Sequence, residues 1–140
     1  MNCVFFGYGQ TPIDVYDRLK SEILKMVDDN GVKRFLVGNN GRFDAMVQKA
    51  LKEISVDREI DYSIVLSKID ENAICGEQDK TIYPEGLEYA LRRFAITKRN
   101  GWLLNNADFL ICYYVEYVSR AGKWIEKAKM RGIKTVNLND

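Results

Sequence analysis

The strongest constraint on the fold is a strand, a glycine-rich turn and a helix that follow one another without a break. Residues 35–37, Phe-Leu-Val, form a continuous apolar run, as in a strand that is buried on both faces. The run ends at Gly38-Asn39-Asn40-Gly41, and apolar residues then recur at helical spacing from about Phe43. Such a unit directs backbone N–H groups and the positive end of a helix toward one point. It therefore predicts a position suited to a phosphate or a carboxylate.

Short apolar runs of the same kind alternate with helical patterns along the chain. The runs predict five strands, over Cys3–Phe6, Arg34–Val37, Tyr62–Leu66, Phe109–Tyr114 and Lys134–Leu138. A first helix is predicted to begin with Thr11 as N-cap and Pro12 as its first residue, and to end at Asn30-Gly31. Residues 69–83 are polar and show no clear period, so they are predicted to form a long loop.

Three further helices complete an alternating order of strands and helices. Apolar spacing predicts them over about Phe43–Ile54, from Ala90 or Thr97 to Asn105, and over Lys123–Arg131. This order implies right-handed crossovers and a mainly parallel sheet that is covered on both faces. We therefore expect a single three-layer α/β/α Rossmann-like domain over residues 1–140. Ligands of such sheets bind outside the carboxyl ends of the strands, so the loops there are the candidate sites.

Composition disfavours several classes of protein. Lys and Arg total 21 against 20 acidic residues, and this near-neutral balance argues against nucleic-acid binding. The chain has no histidine, and Cys3, Cys75 and Cys112 are widely spaced, so no metal site and no cofactor are predicted. No apolar run approaches the roughly 18 residues that span a bilayer, and residues 1–10 lack the features of a signal peptide. A cytoplasmic protein without a membrane partner is expected.

Three glycine-containing loops follow the strands that matter for a ligand. The first is Gly7-Tyr8-Gly9-Gln10-Thr11, the second runs from Gly38 to Asp44, and the third covers residues 116–122. The first loop does not match the G-x-G-x-x-G pattern of dinucleotide binding, and none contains the G-K-[ST] of a P-loop. Glycine turns at strand ends also serve simple chain reversal, so no loop by itself identifies a ligand.

Taken together and in order, these motifs resemble those of a known superfamily. The matching residues are Phe5-Phe6-Gly7, Val37 to Asp44, Thr81 to Gly86, Arg93 to Ile96, Lys98-Arg99-Asn100, Ala107-Asp108 and Gly132 to Leu138. Over nearly its whole length the chain resembles the SLOG superfamily, the Rossmann-like group that includes the DprA core and the LOG phosphoribohydrolases. It is similar to the small stand-alone bacterial members without an assigned activity. The resemblance implies a pocket for a nucleotide-like or phosphorylated small molecule, and a homodimer.

The resemblance also implies which residues contact that ligand. The turn after the second strand would form an anion cradle, faced by Arg99 and Asn100 from a neighbouring helix. The full set is Gly7, Tyr8, Gly9, Gly38, Asn39, Asn40, Gly41, Arg42, Phe43, Asp44, Arg99, Asn100, Ser119, Arg120 and Gly122. The chain departs from its relatives at two places, with Tyr8-Gly9 instead of His-Arg and Ser119-Arg120 instead of Gly-Gly. Side chains at these two positions would crowd a close approach of the backbone to a phosphate, although the charge of Arg120 could replace the N–H groups.

Two residues are candidates for catalysis if the chain is LOG-like. Arg99 would take the arginine role and Glu126 the carboxylate role, since Glu126 keeps the G-x-x-x-E spacing from Gly122. A carboxylate beside a ribose stabilises an oxocarbenium-like centre or activates water. The alternatives are a first-turn acid favoured by the helix dipole for Glu126, and a solvated helix charge for Arg99. Because the Pro-Gly-Gly and the Thr of the hydrolase motif are missing, binding without strong catalysis is the leading expectation. N-glycosidic hydrolysis of nucleoside monophosphates and DprA-like nucleic-acid binding are the alternatives.

Overall fold

One parallel β-sheet lies at the centre of the molecule. The computed structural model describes residues 1–68, 80–115 and 122–140. The strands in these ranges are β1 (Asn2–Gly7), β2 (Arg34–Val37), β3 (Asp61–Val65), β4 (Lys80–Ile82), β5 (Phe109–Tyr113) and β6 (Lys134–Asn137). Neighbouring strands all pair in parallel, in the order β4-β3-β2-β1-β5-β6. The sheet confirms the expected α/β Rossmann-like class.

In the described parts of the chain, two helices cover each face of this sheet. They are α1 (Tyr16–Asp28) and α2 (Gly41–Asp57) on one face, and α3 (Ala95–Asn105) and α4 (Gly122–Met130) on the other. Cys3 and Phe5 of β1 pack with α1 and α2. Val4 and Phe6, which alternate with them, pack with α3 and α4. Burial of both faces explains why the strand is apolar at every position. Among the described helices, none is both long and apolar enough to cross a lipid bilayer.

The start of the first helix differs from the prediction. The N–H of Thr11 donates to the carbonyl oxygen of Tyr8 at 2.9 Å, and the Thr11 hydroxyl donates to the same oxygen. The chain then passes from Pro12 through a short 3-10 turn, Ile13–Val15, and α1 begins only at Tyr16. The prediction of Thr11 as an N-cap is wrong, because its hydroxyl closes a tight turn with Tyr8 instead of capping a helix.

The predicted loop over residues 69–83 is wrong at its carboxyl end. Residues 80–82 form β4, which pairs with β3 at the edge of the sheet. Lys80 and Thr81 are exposed and Ile82 is half-buried, so the strand lacks the apolar run that marks a buried strand. Residues 69–79 of the predicted loop lie outside the described residues.

The two described cysteines are small buried side chains, as expected. Cys3 lies in β1 and Cys112 in β5, and neither is accessible to solvent. Burial raises the pKa of both thiols, that of Cys112 to about 12. Neither is therefore a reactive thiolate at neutral pH. The third cysteine, Cys75, falls outside the described ranges.

The strand order creates a point where the chain leaves the centre of the sheet in opposite directions. From β1 the chain passes through α1 to β2 on one side, whereas β5 lies on the other side and leads through α4 to β6. The carboxyl ends of β1 and β5 are separated by a crevice at such a switch point, and ligands of open α/β sheets bind there. The topology therefore directs attention to Gly7, the last residue of β1.

Candidate functional site

The turn after β2 contacts a carboxylate of its own helix. Asn40 is the N-cap residue of α2, and its N–H donates to Oδ2 of Asp44 at 2.9 Å. Gly41 follows with a φ of 88°, and the N–H of Arg42 donates to the carbonyl oxygen of Gly9 at 3.0 Å. Two N–H groups that were predicted to meet an anion thus have acceptors inside the protein. The Asp44 carboxylate supplies negative charge at this helix end.

The first predicted loop packs against the same end of α2. A β-carbon on Gly41 would lie 3.1 Å from Cα of Gly9, and the positive φ of Gly41 also favours glycine. The hydroxyl of Tyr8 donates to Oε1 of Gln10 at 3.3 Å, within its own loop. The first and second loops therefore contact each other, and the first loop covers the N-terminus of α2.

Asp44 is a buried carboxyl. Only 7% of the residue is exposed. Burial raises the pKa of its carboxyl to about 6, although the positive charge of Arg99 and the N–H of Asn40 both act to lower it. Desolvation is the larger effect, so Asp44 binds a proton under mildly acidic conditions.

Arg99, from α3, lies beneath the turn after β2. It is 3% exposed, so it is not a solvated helix charge. Its Nη1 donates to Oδ1 of Asn40 at 2.8 Å, and more weakly to the carbonyl oxygen of Val65 at 3.5 Å. Burial lowers the pKa of the guanidinium, whereas the nearby carboxylate of Asp44 acts to raise it. Opposite charge and hydrogen bonds thus compensate the cost of burying this cation.

Gly38 makes room for both of these buried charges. A β-carbon there would lie 2.5 Å from Nη1 of Arg99 and 2.8 Å from Oδ2 of Asp44. The carbonyl oxygen of Gly38 accepts a hydrogen bond from Nε2 of Gln48 at 2.9 Å. Any side chain at position 38 would push the two charged groups away from the turn, which explains the glycine.

The other edge of the Arg99 guanidinium contacts the next residue of α3. Nε and Nη2 each donate to Oδ1 of Asn100, both at 3.1 Å. Arg99 therefore connects the turn after β2 with Asn100, which is only partly buried.

An open cleft of about 350 Å³ lies beside Asn100. It occupies the switch point of the sheet, between the end of β1 and the beginnings of α3 and α4. The described lining residues are Phe6, Gly7, Arg93, Ile96, Thr97, Asn100, Lys123 and Trp124. None of these described residues carries a carboxylate, whereas two carry a positive charge.

The two cations of the cleft come from different elements. Arg93 belongs to a short 3-10 turn, Arg92–Phe94, that precedes α3, and Lys123 belongs to the first turn of α4. Arg93 lies over the ring of Phe94 at 4.9 Å, and Lys123 over the ring of Trp124 at 5.3 Å. Neither forms an ion pair within the three described ranges. Their charges are therefore available to an anion in the cleft.

Two helix N-termini reach the same cleft. Ile96 and Thr97 lie in the first turn of α3, and Lys123 lies in the first turn of α4. The N-terminus of a helix is the positive end of its dipole. At α3 the contribution comes from the dipole, because the preceding 3-10 turn accepts the first N–H: Ala95 donates to the carbonyl oxygen of Arg92. Backbone and side chains thus contribute charge of the same sign.

Trp124 forms an apolar wall of the cleft. Its ring stacks on Phe6 of β1, with centroids 6.1 Å apart and an interplanar angle of 14°. The Nζ of Lys127 lies 4.7 Å from the same ring. Trp124 is 7% exposed, so most of its surface stabilises the core and only an edge remains for a ligand.

The structure brings together part of the predicted set of ligand-binding residues. Gly7 and Asn100 line the cleft, and Arg99 contacts Asn100 directly. Gly122 immediately precedes Lys123, and a β-carbon on it would lie 2.8 Å from the ring of Tyr114. These residues surround one position at the carboxyl edge of the sheet.

Other predicted residues are not part of the cleft lining. Tyr8, Gly9 and the second loop, Gly38 to Asp44, lie at the neighbouring N-terminus of α2. Glu126 is exposed on α4 and does not line the cleft either. Ser119 and Arg120 lie outside the described residues.

Sequence reasoning missed three polar residues of the cleft as ligand contacts. They are Arg93, Thr97 and Lys123. A charge pattern could have indicated Arg93, since no acidic residue occurs between Glu88 and Asp108 although four basic residues do. Segregated positive charge of this kind is hidden by a near-neutral total.

No model of a known protein family matches this chain, and no curated protein matches it at a significant level.

Proposed function

We propose that this chain binds a phosphorylated, nucleotide-like small molecule in the cleft between β1, α3 and α4. The observation that carries the proposal is the pair of cations, Arg93 and Lys123, on a lining whose described residues include no carboxylate. A ligand with negative charge would neutralise both. Asn100 and Thr97 add polar side chains for the same ligand.

Phosphate is the anion that the backbone of the cleft favours. The first turns of α3 and α4 both border it, and the positive end of a helix dipole favours phosphate. The position at a switch point of a parallel sheet supports the same class of ligand, because nucleotides commonly bind there.

The size and the wall of the cleft favour a mononucleotide or a sugar phosphate. Its volume of about 350 Å³ lies near the lower end of the range for small-molecule pockets, roughly 300 to 1,000 Å³. The exposed side chain of Ile96 and the remaining edge of Trp124 supply apolar surface against which a ribose or a base could pack.

Membership of the SLOG superfamily is part of this proposal. It rests on the ordered sequence motifs, and the ligand class that the resemblance implies agrees with the charge of the cleft. Location in the cytoplasm and assembly as a homodimer stay predictions from the sequence. Light scattering at several protein concentrations tests the dimer.

We propose binding without strong catalysis. Hydrolysis of the LOG type would require the Glu126 carboxylate beside the ribose, and Glu126 is exposed on α4 outside the described lining of the cleft. Incubation of the protein with AMP and CMP, followed by chromatography of the free bases, tests this choice. Base release that is abolished by Glu126→Gln would establish the hydrolase instead.

Calorimetric titration with three compounds tests the binding function. AMP and ribose 5-phosphate share a phosphate monoester, whereas adenosine lacks it. We expect the protein to bind both phosphates and to bind adenosine at least about tenfold more weakly, because charge-assisted hydrogen bonds are lost. Equal affinity for AMP and adenosine, or no heat with any of the three, would contradict the proposal.

A further inference from the structure

The side-chain amide of Asn100 has a defined orientation because of Arg99. Both Nε and Nη2 of Arg99 donate to one atom of that amide, each over 3.1 Å. A guanidinium has donors only, so the atom that it contacts must be the carbonyl oxygen Oδ1. The amide nitrogen, Nδ2, is then the end that remains for other partners. It donates to no acceptor among the described residues.

The guanidinium that holds this amide is itself fixed. Arg99 is 3% exposed, and its Nη1 donates to Oδ1 of Asn40 at 2.8 Å on the side away from Asn100. Gly38 leaves no free space there, since a β-carbon on it would lie 2.5 Å from Nη1. The guanidinium of Arg99 therefore has little freedom to rotate, and the side chain of Asn100 is preorganised before any ligand binds.

Asn100 lines the same cleft as Arg93 and Lys123. With Oδ1 occupied by Arg99, the side chain offers the cleft two N–H donors and no free acceptor. All three side chains therefore favour the same kind of ligand group, one that accepts hydrogen bonds and carries negative charge.

We propose that Arg99 is a positioning residue that holds Asn100 as a hydrogen-bond donor, so that the cleft selects the acceptor oxygens of a phosphate monoester. The inference rests on the proposed function and deepens it. It assigns Arg99 a role through Asn100, and it assigns the contact with the ligand to Asn100 itself.

Asn100→Asp is the most direct test, because it keeps the shape of the side chain. A carboxylate still accepts from Arg99, but it presents an anionic acceptor to the cleft instead of a donor. We expect calorimetry to show about tenfold or more weaker binding of both AMP and ribose 5-phosphate, with an unchanged or higher melting temperature. If the variant lost binding to AMP but bound ribose 5-phosphate as the wild type does, Asn100 would contact the base, and the proposal would be wrong.

Asn105→Asp is the matched control. Asn105 lies on the same helix, is exposed, and likewise accepts a hydrogen bond from an arginine, Nη1 of Arg131, at 2.7 Å. The substitution adds the same charge to α3 outside the described lining of the cleft. We expect it to change the affinity for either phosphate by less than about threefold.

Nuclear magnetic resonance separates positioning by Arg99 from a purely structural role. The side-chain NH₂ signals of Asn100 are identified by their loss in Asn100→Asp. In the wild type they should shift when AMP is added, whereas in Arg99→Lys, which lacks the two-donor fork, this shift should be lost while the backbone spectrum is retained. A shift that persists in Arg99→Lys would overturn the role of Arg99.

Failure of the proposed function and failure of this inference give different results in these experiments. If the wild type binds neither phosphate, the proposed function is wrong, and this inference falls with it. If the wild type binds both and Asn100→Asp binds them equally well, only the inference is wrong. If Arg99→Lys does not fold, the result with Asn100→Asp still decides, because that variant retains the buried arginine.

Discussion

Gly7 faces the aromatic ring of Phe43 so closely that a β-carbon on it would lie 2.1 Å from Cγ of that ring. Phe43 is 1% exposed and belongs to the core between the sheet and α2. The glycine at the end of β1 is therefore required by packing, independently of any ligand. Gly7 also lines the cleft, so the packing of Phe43 determines the path of the backbone at the candidate site.

Gly7→Ala should destabilise the protein. The added methyl group overlaps a buried ring that has no room to move, and overpacking of this kind costs about 1 to 3 kcal/mol in free energy of unfolding. Urea unfolding measures the change. Combining it with Phe43→Leu should recover part of the loss, because a smaller side chain relieves the overlap. Strictly additive effects of the two substitutions would contradict the contact.

Gly38→Ala should destabilise the protein by a comparable amount. Its methyl group would displace Arg99 or Asp44, and both are buried. Gly101→Ala is the control, since it lies within α3 and a β-carbon there would meet nothing within 4 Å. The control should stabilise the protein by about 0.5 to 1 kcal/mol, because alanine favours a helix interior more than glycine does. We expect urea unfolding to give changes of opposite sign in the free energy of unfolding for the two variants. Changes of the same sign would contradict the close packing at Gly38.

Asp44→Asn should change how stability depends on pH. The pKa of the carboxyl rises from 3.8 to about 6 on folding, so its stabilising contribution is complete below pH 3.8 and is lost as the pH rises through 6. That rise corresponds to about 3 kcal/mol. Asparagine does not titrate, so the variant should gain stability relative to the wild type between pH 4 and pH 7. If the free energies of unfolding of the variant and the wild type differed by the same amount at pH 4 and at pH 7, the pKa of Asp44 would not be raised in the folded protein.

Most of the fold could be predicted from the sequence because the buried strands are continuous apolar runs. β1, β2 and β5 pack on both faces, and their composition reflects this. β4 could not be recognised in this way, since it is three residues long and lies at the edge of the sheet. Thr11 was misread for a different reason: a hydroxyl suited to an N-cap is equally suited to closing a turn.

The candidate site was predicted only in part, because a cleft is formed by elements far apart in the sequence. Gly7 could be named from its loop, whereas the pairing of Arg93 with Lys123 depends on how α3 and α4 pack. The burial of Arg99 was equally hidden, since an arginine in a polar stretch of helix ordinarily lies at the surface. Asn100, the next residue of α3, accepts from it, but two further acceptors, Asn40 and Val65, come from other elements.

The central claim is that the cations of the cleft bind a phosphate, and the affinities of four variants for AMP test it most directly. Arg93→Ala and Lys123→Ala each remove a charge from the lining. Arg92→Ala and Lys129→Ala remove exposed charges from the same two segments outside that described lining. We predict that calorimetry gives about tenfold or more weaker binding for the first pair, and less than about threefold change for the second. Equal affinities for all four variants would contradict the claim.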